Sequence, residues 1–195
     1  MVGKVEMSRA GGSWEASATG SRKARALLAF LGVHGTEKVA VSDIVDALWD
    51  DAPPREPAAN VATLVSRLRA RFGLHAVLGA RTGYWLASTI HVDLHDAAAL
   101  VTKAENALRA GRPAHGLLVA EQAVKLLGDG PLLADHPAAA WADRARATQD
   151  AVLRRAWQVG AESALRTGAP GLAQAMAETA VLMRAAGAGV THVAS

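Results

Sequence analysis

The side chains with the clearest chemical potential lie between Asn60 and Phe72, in the segment NVATLVSRLRARF. At about 100° per residue, one side of a helix here would be apolar and formed by Val61, Val65, Leu68 and Phe72. The opposite side carries small residues with arginines beside them. Arginine binds phosphates and guanine edges through paired donors, so the pattern predicts a helix that packs with one face and lies in a DNA groove with the other. The alternative is an ordinary solvated helix face.

Charge is distributed unevenly along the chain. Residues 1 to 89 contain eleven Lys and Arg against eight Asp and Glu, whereas residues 90 to 195 contain ten of each. From Pro57 to Leu86 there are four arginines and no acidic residue. Immediately upstream the sign reverses, with Asp43, Asp46, Asp50, Asp51 and Glu56. The first half is therefore the candidate for binding an anionic partner.

Composition and motifs argue against an enzyme. The chain contains no cysteine, which excludes disulfides, a thiolate nucleophile and Cys-ligated zinc. No phosphate-binding loop, nucleophile elbow or paired catalytic carboxylates can be defended, and no cofactor is predicted. With no signal peptide and no apolar run long enough to span a bilayer, we expect a soluble cytoplasmic protein without a membrane partner.

One histidine-rich stretch, HVDLHD, could supply hard metal ligands through His91, Asp93, His95 and Asp96. His91 and Asp93 precede an expected helix, so the four side chains would not converge on one helix face. A helix cap at Asp93 or Asp96 explains the stretch better, and no metal site is predicted.

The first half alternates short strands and helices. Gly11-Gly12 predicts the turn of an N-terminal hairpin within residues 2 to 19. Helices are predicted after Ser21 and after Ser42, each with the serine as N-cap, and a brief strand is predicted over Lys38–Val41. A last hairpin, HAVLGARTGYWLAST, has its tip at Arg81-Thr82-Gly83. This order of elements describes an α+β winged helix-turn-helix domain.

The second half contains an internal repeat. AENALRAGRP at 104–113 recurs as AESALRTGAP at 161–170, and eleven of twenty-four positions match at an offset of 57. Each copy reads as the end of one helix, a Gly-Xaa-Pro turn and a second helix with small residues for close packing. An all-α domain of stacked, tetratricopeptide-like helical hairpins is predicted, with Trp141 and Trp157 packing inside it.

Four blocks, SRKARALLAFL, VSDIVDALWDDAPP, VSRLRARFG and GYWL, resemble in order and spacing the OmpR-type DNA-binding domain of the Streptomyces antibiotic regulatory proteins. The repeated hairpins after VDLHDAAAL resemble the bacterial transcriptional activation domain of the same family. The resemblance implies a DNA-binding domain over residues 1–89 and an activation domain over 90–195. That activation domain normally continues into further helices, so the chain is expected to be either unusually short or a fragment.

A transcriptional activator, controlling a biosynthetic gene cluster such as one for an antibiotic, is what the resemblance implies. Major-groove readout is then expected from Asn60, Thr63, Ser66 and Arg67, phosphate contacts from Arg69 and Arg71, and a minor-groove contact from Arg81 in the wing. The family also implies binding to direct repeats in promoter DNA, with self-association there. In this family, the loop between the two helices of the helix-turn-helix is implicated in contacting RNA polymerase. That loop contains Asp50, Asp51 and Arg55 here, and an acidic solvated face explains these residues equally well.

A rival hypothesis comes from a different functional class. The chain would be a helical-repeat adaptor for protein partners, and its N-terminal domain would not bind DNA. Salt-dependent binding to duplex DNA separates the two hypotheses, because phosphate contacts release counterions and protein contacts of an adaptor do not.

Overall fold

The structure is a computed structural model that describes residues 6–9, 12–15, 21–128, 130, 132–133 and 139–190, with side chains described between 21 and 183. The chain divides into two compact units. The first comprises residues 1–92 together with 131–143, and the second comprises 93–130 together with 144–195. The described residues are mostly helical, with two small two-stranded sheets.

The described residues of the first unit form three complete helices, two antiparallel hairpins and the first residues of a fourth helix that continues into the second unit. Its elements in chain order are β1 (Glu6–Arg9), β2 (Gly12–Glu15), α1 (Arg22–His34), α2 (Val41–Trp49), α3 (Pro57–Phe72), β3 (Val77–Ala80) and β4 (Gly83–Leu86). In the first hairpin Arg9 pairs with Gly12; in the second Ala80 pairs with Gly83, so that Arg81 and Thr82 lie between its strands. Gly12 of the predicted Gly11-Gly12 turn belongs to β2, and Gly11 lies outside the described residues.

The predicted strand at Lys38–Val41 and the predicted cap at Ser42 are both wrong. Only Val39 makes a β-bridge, to Tyr84. Helix α2 begins at Val41 with Ala40 as its N-cap, and the Ser42 hydroxyl lies 3.2 Å from a carboxylate oxygen of Asp43, to which it donates a hydrogen bond. The β-bridge to Tyr84 requires an extended backbone only at Val39. Helix α2 can therefore begin two residues later, and Ser42 lies inside its first turn.

Helix α3 is three residues longer than predicted. It begins at Pro57 and not at Asn60, and it ends before Gly73, whose backbone N–H donates to the carbonyl of Arg69 over 2.9 Å. Proline is favoured at this first helical position because its N–H would have no partner there and its φ is already helical. The apolar arc of α3 faces the core of the first unit, together with Leu27, Leu31 and Ile44.

The sequence predicts that Trp141 packs inside the helical repeat, and this prediction is wrong. It lies in the segment that belongs to the first unit, and its indole meets the ring of Phe30 of α1 edge-on, with centroids 5.3 Å apart. Phe30 also meets His34 at 4.8 Å and is itself buried. The contact joins residues far apart in sequence, which no local periodicity can reveal.

Trp141→Ala is expected to destabilise the first unit by about 1–3 kcal/mol, because the aromatic contact is lost and the Phe30 ring gains water. Hydrogen exchange of the α1 amides should accelerate accordingly. Trp157→Ala is the matched control, since Trp157 lies in the second unit and should leave α1 unchanged. Equal α1 exchange in Trp141→Ala and wild type would show that the contact contributes nothing.

The second unit is built from helical hairpins. It contains α4 (Asp93–Arg109), α5 (Pro113–Leu127), most of α6 (Ala140–Arg166) and α7 (Pro170–Val190). The sequence repeat extends to the backbone hydrogen bonds of the two turns. Arg112 N–H donates to the carbonyl of Ala107 over 3.0 Å, and the equivalent Ala169 N–H donates to Ala164 over 2.9 Å. Gly111 and Gly168 have φ of 70° and 79°, a conformation that glycine adopts without strain.

Small residues bring α5 and α6 close together. A Cβ atom built on Gly116 would lie 2.8 Å from Oγ of Ser163. The Ser163 side chain is fully buried, and its hydroxyl has no hydrogen-bond partner among the described residues. An unpaired buried hydroxyl costs stability, because it has lost its hydrogen bonds to water.

Ser163→Ala is therefore expected to raise the free energy of unfolding of the second unit by about 1 kcal/mol. Chemical denaturation measures this change. Thr148→Ala on the same helix is the control, since that hydroxyl is exposed and bonds to the carbonyl of Arg144. A loss of stability in Ser163→Ala larger than that in Thr148→Ala would mean that the hydroxyl is satisfied in solution.

Candidate nucleic-acid interface

Helix α3 presents its predicted face to solvent. Leu64 joins Val61, Val65, Leu68 and Phe72 in the buried arc. The exposed residues between Ala58 and Arg71 are Ala58, Ala59, Asn60, Ala62, Thr63, Ser66, Arg67, Ala70 and Arg71. Four of these side chains are alanine methyl groups, at positions 58, 59, 62 and 70. Such a surface lets the helix backbone approach a partner closely.

Two polar residues of this face are held by the helix itself. The Asn60 side-chain amide donates to the carbonyl of Glu56 over 2.9 Å, and the Thr63 hydroxyl donates to that of Ala59 over 2.9 Å. Both residues are exposed, and neither the Asn60 amide oxygen nor the Thr63 methyl group takes part in these two bonds. An amide oxygen accepts a hydrogen bond from a base amino group, and a methyl group contacts the thymine methyl.

The three arginines of α3 lie on different sides of the exposed face. At about 100° per residue, Arg67 and Arg71 share one flank and Arg69 lies on the other. Arg67 and Arg71 are exposed, whereas Arg69 is half-buried. The exposed arginines of α3 therefore lie along one edge of the helix.

Arg69 is bound to the β3–β4 hairpin. Its Nε donates to the carbonyl of Val77 over 2.8 Å and its Nη2 donates to that of Gly79 over 2.9 Å, while the guanidinium lies 5.9 Å from the centre of the Tyr84 ring. The planar fork of arginine suits two carbonyl oxygens on one strand. This side chain fixes the hairpin relative to α3, a role that the sequence analysis missed. The available signal was its position at the margin of the apolar arc.

The hairpin places Arg81 and Thr82 at its tip, both exposed, and Gly83 already belongs to β4. Beside the tip lies Lys38, which is exposed and whose amine donates to the Thr82 hydroxyl over 2.9 Å. Sequence reasoning missed Lys38, because its neighbour is 44 residues away along the chain. Two cations, Lys38 and Arg81, thus accompany the turn.

The base of the hairpin is anchored on the chain segment between α1 and α2. Tyr84 and Val39 exchange backbone hydrogen bonds of 2.9 and 3.0 Å, and Leu86 N–H donates to the carbonyl of Gly35 over 3.0 Å. At Gly83, with φ of 154°, any Cβ would collide with the carbonyl of Val39. Glycine is therefore required where the two backbones meet.

Exposed acidic residues lie in α2 and in the segment that leads to α3. Asp43, Asp46, Asp50, Asp51 and Glu56 are all exposed, and so is Arg55. At the end of α2, the Lys23 amine of α1 bonds to the carbonyl of Leu48 and lies 5.4 Å from the centre of the Trp49 ring. A cation at a helix C-terminus is favourable because the last carbonyls carry partial negative charge. The C-terminal end of α2, which is followed by Asp50 and Asp51, is thereby fixed to α1.

The histidine-rich stretch lies at the start of α4, with Asp93 and Asp96 in the first turn, where acidic residues favour a helix N-terminus. Within the described ranges, no group of histidine and acidic side chains is arranged to hold a metal ion. Across those same ranges, no helix combines the length and apolarity needed to cross a membrane.

Comparison with known proteins identifies regulatory relatives. The chain matches no protein-family model. It is 34% identical over 125 residues to the regulatory protein AfsR of Streptomyces coelicolor, covering 63% of this chain and 12% of that protein. AfsR of Streptomyces griseus is 30% identical over 129 residues, covering 64% and 13% respectively. The chain thus spans about an eighth of the length of these relatives. Their naming as regulatory proteins agrees with the prediction that the chain is not an enzyme.

A solved structure shares the fold. Mycobacterium tuberculosis EmbR, determined in complex with a low-affinity phosphopeptide, matches with a TM-score of 0.75 and 23% sequence identity. The match covers 94% of this chain and 54% of EmbR.

Proposed function

We propose that this chain, which resembles the Streptomyces antibiotic regulatory proteins, is a sequence-specific DNA-binding transcriptional activator. The observation that carries the proposal is the exposed face of α3, where small side chains and one edge of arginines occur in a stretch without acidic residues. In architecture, α2 and α3 form the helix-turn-helix, β3–β4 forms the wing, and tetratricopeptide-like hairpins follow. The DNA-binding domain corresponds to residues 1–89 and the activation domain to residues 90–195.

In this mechanism α3 lies in the major groove. The groove is about 12 Å wide and admits a helix, provided that its exposed face is not bulky. Asn60, Thr63, Ser66 and Arg67 would read base edges there. The alanines between them support this placement, because they let the helix axis sit deep enough for short side chains to reach the bases.

Phosphate contacts supply most of the affinity. Arg71 is exposed on the flank next to Arg67, and we assign it a contact with the DNA backbone. A phosphate contact is predicted for Arg69, but we assign this residue to orienting the wing, because its Nε and Nη2 donate to two hairpin carbonyls. Lys38 joins the basic surface beside the wing tip.

The wing carries Arg81 to an adjacent minor groove. Arg81→Ala should weaken binding more on sites with A·T-rich flanks than on sites with G·C-rich flanks, because a narrow A·T-rich groove holds the stronger negative potential. Fluorescence anisotropy on two duplexes that differ only in the flank measures the difference. Arg144→Ala, which removes an exposed arginine from α6, is the control for charge alone. Equal losses on both duplexes would remove the wing tip from the minor groove.

Activation follows from bringing RNA polymerase to a promoter of a biosynthetic gene cluster. The exposed residues Asp50, Asp51 and Arg55, between α2 and α3, would contact the polymerase, while copies of the chain would bind direct repeats and associate there. In vitro transcription with purified polymerase tests this step. A D50A/D51A variant should bind the promoter as the wild type does and lose activation.

Selection of binding sites from a random duplex pool tests the proposed function as a whole. A defined motif should emerge, bound about 10³-fold or more tightly than random DNA at the same salt, and the logarithm of affinity should fall linearly with that of salt concentration. If the full chain binds no duplex at low salt, the DNA-binding proposal fails and the adaptor hypothesis takes its place.

A further inference from the structure

A groove within the second unit runs between α4 and α6 and contains a cavity of about 310 Å³. The floor of this groove is apolar, since Leu108 and Val159 line the cavity, belong to one buried cluster and are each 6% exposed. Charged and polar side chains of both helices line the rest of it. Sites for small organic ligands have volumes from about 300 Å³ upward and combine an apolar surface with a few polar groups. The groove has this size and this composition.

The charges that line the groove do not balance. Three arginines, Arg109, Arg155 and Arg166, face two carboxylates, Glu105 and Glu162. Nε and Nη2 of Arg155 donate to the two carboxylate oxygens of Glu105, each over 2.9 Å, and this paired bond joins α6 to α4. Within α6, Nη2 of Arg166 donates to Glu162 over 2.6 Å. Three positive charges against two negative ones leave the lining with a net charge of +1, and the unmatched arginine is Arg109.

Arg109 is held less closely than its equivalent in the second copy of the repeat. The second copy has a glutamate and an arginine at the same spacing, 57 residues later, and their ion pair is 2.6 Å long. Nη2 of Arg109 lies 3.7 Å from Glu105, both of whose oxygens accept bonds from Arg155. Nη1 of Arg109 donates to the side-chain oxygen of Asn106, and the side chain is 68% exposed. Since a guanidinium has five N–H donors, Arg109 retains donors for a ligand.

We propose that this groove binds a small organic monoanion: a carboxylate that Arg109 holds, attached to an apolar body that lies on Leu108 and Val159. The paired N–H groups of a guanidinium match the two oxygens of a carboxylate. One negative charge balances the excess of the lining, whereas a second would compete with Glu105 for Arg155. Because the ligand would contact both α4 and α6, its binding would stabilise the second unit. The site does not depend on DNA binding.

Two probes with an apolar body and one carboxylate, 4-phenylbutyrate and octanoate, test the site on the full chain. Each is compared with its own neutral amide, which has the same shape and no charge. In a nuclear magnetic resonance titration, at least one carboxylate should shift the backbone amides around Leu108 and Val159 saturably. Its affinity should exceed that of its amide about 10-fold or more, because the charge-assisted bond to Arg109 is lost in the amide. The same carboxylate should raise the unfolding temperature of the second unit.

Two exposed positions allow substitutions that leave the buried floor intact. Arg109→Gln should weaken binding of the carboxylate about 10-fold or more and bring it close to that of the amide. Arg112→Gln is the matched control, since Arg112 is equally exposed three residues later and does not line the cavity. Gln158→Glu should also weaken binding, because it places a second negative charge at the ligand. Gln122→Glu adds that charge to an exposed position of α5 outside the cavity and should have no effect.

Three results would each overturn the proposal. The first is that neither carboxylate binds more tightly than its amide, since the excess charge of the groove would then have no use. The second is equal weakening by Arg109→Gln and Arg112→Gln, which would show that anions respond only to the general charge of the surface. The third is tighter binding of inorganic phosphate than of either carboxylate, because the apolar floor would then contribute nothing.

Discussion

Arg67→Ala is expected to weaken binding to the preferred DNA site by about 5- to 150-fold, which corresponds to about 1–3 kcal/mol for a bidentate contact with a base. Arg67 is exposed on α3 beside Ser66, and the surrounding face is free of acidic residues. Preference for the base that it contacts should relax, because the alanine has no donor to discriminate among bases. Competition binding against every single-base variant of the site measures this change.

Arg71→Ala provides the comparison within the same helix. If Arg71 binds phosphate, its loss should reduce specific and random binding by the same factor and reduce the salt slope by about one. Arg144→Ala removes the same charge from α6 and should change neither quantity. A uniform loss for Arg67→Ala, without any relaxed base preference, would show that Arg67 also binds only phosphate.

Arg69→Lys is expected to weaken DNA binding nearly as much as Arg69→Ala, although lysine keeps the charge. The guanidinium joins two carbonyl oxygens of β3, at Val77 and Gly79, and the ammonium of lysine lacks the planar fork that does so. Loss of two such hydrogen bonds should cost about 2–4 kcal/mol in the stability of the hairpin. Hydrogen exchange at β3 and β4 should accelerate in both variants, and α2 should remain protected.

The opposite pattern identifies a phosphate contact. If Arg69→Lys retains most of the affinity and the hairpin amides exchange at the wild-type rate, then the positive charge matters and the fork does not. Arg71→Lys is the matched control, because a contact with phosphate should tolerate lysine in place of arginine better than a paired bond to two carbonyls does.

Local periodicity was sufficient to predict the faces of α3. The spacing of Val61, Val65, Leu68 and Phe72 identified the buried side, and Thr63, Ser66 and Arg67 on the opposite side are exposed. The repeat likewise predicted the turns at Gly111 and Gly168. The buried face of α3 depends on residues close together in sequence, so it leaves a periodic pattern. The two turns belong to repeated segments with the same local conformation, so they leave a repeat in the sequence.

Long-range contacts left no such pattern. Nothing in the sequence near Arg69 indicates that its partners are carbonyl groups of a strand, and nothing near Trp141 indicates that it packs on Phe30. The start of α2 was misplaced for a related reason. Serine is a favourable N-cap residue, so the local sequence predicts a helix that starts after Ser42. The extended segment is shorter than predicted, because only Val39 bridges to Tyr84, and the helix begins at Val41.

Site-directed cleavage of bound DNA tests the central claim most directly. Since the chain has no cysteine, Ser66→Cys and Thr82→Cys each create a single attachment point for an iron chelate that cleaves nearby DNA. The chelate at position 66 should cut within the selected site, from the major groove, and the chelate at position 82 should cut the adjacent minor groove. A chelate at Ala175→Cys on α7 should leave that segment intact. Cleavage from position 175 but not from position 66 would contradict the account, because α3 would then not be the helix that meets the DNA.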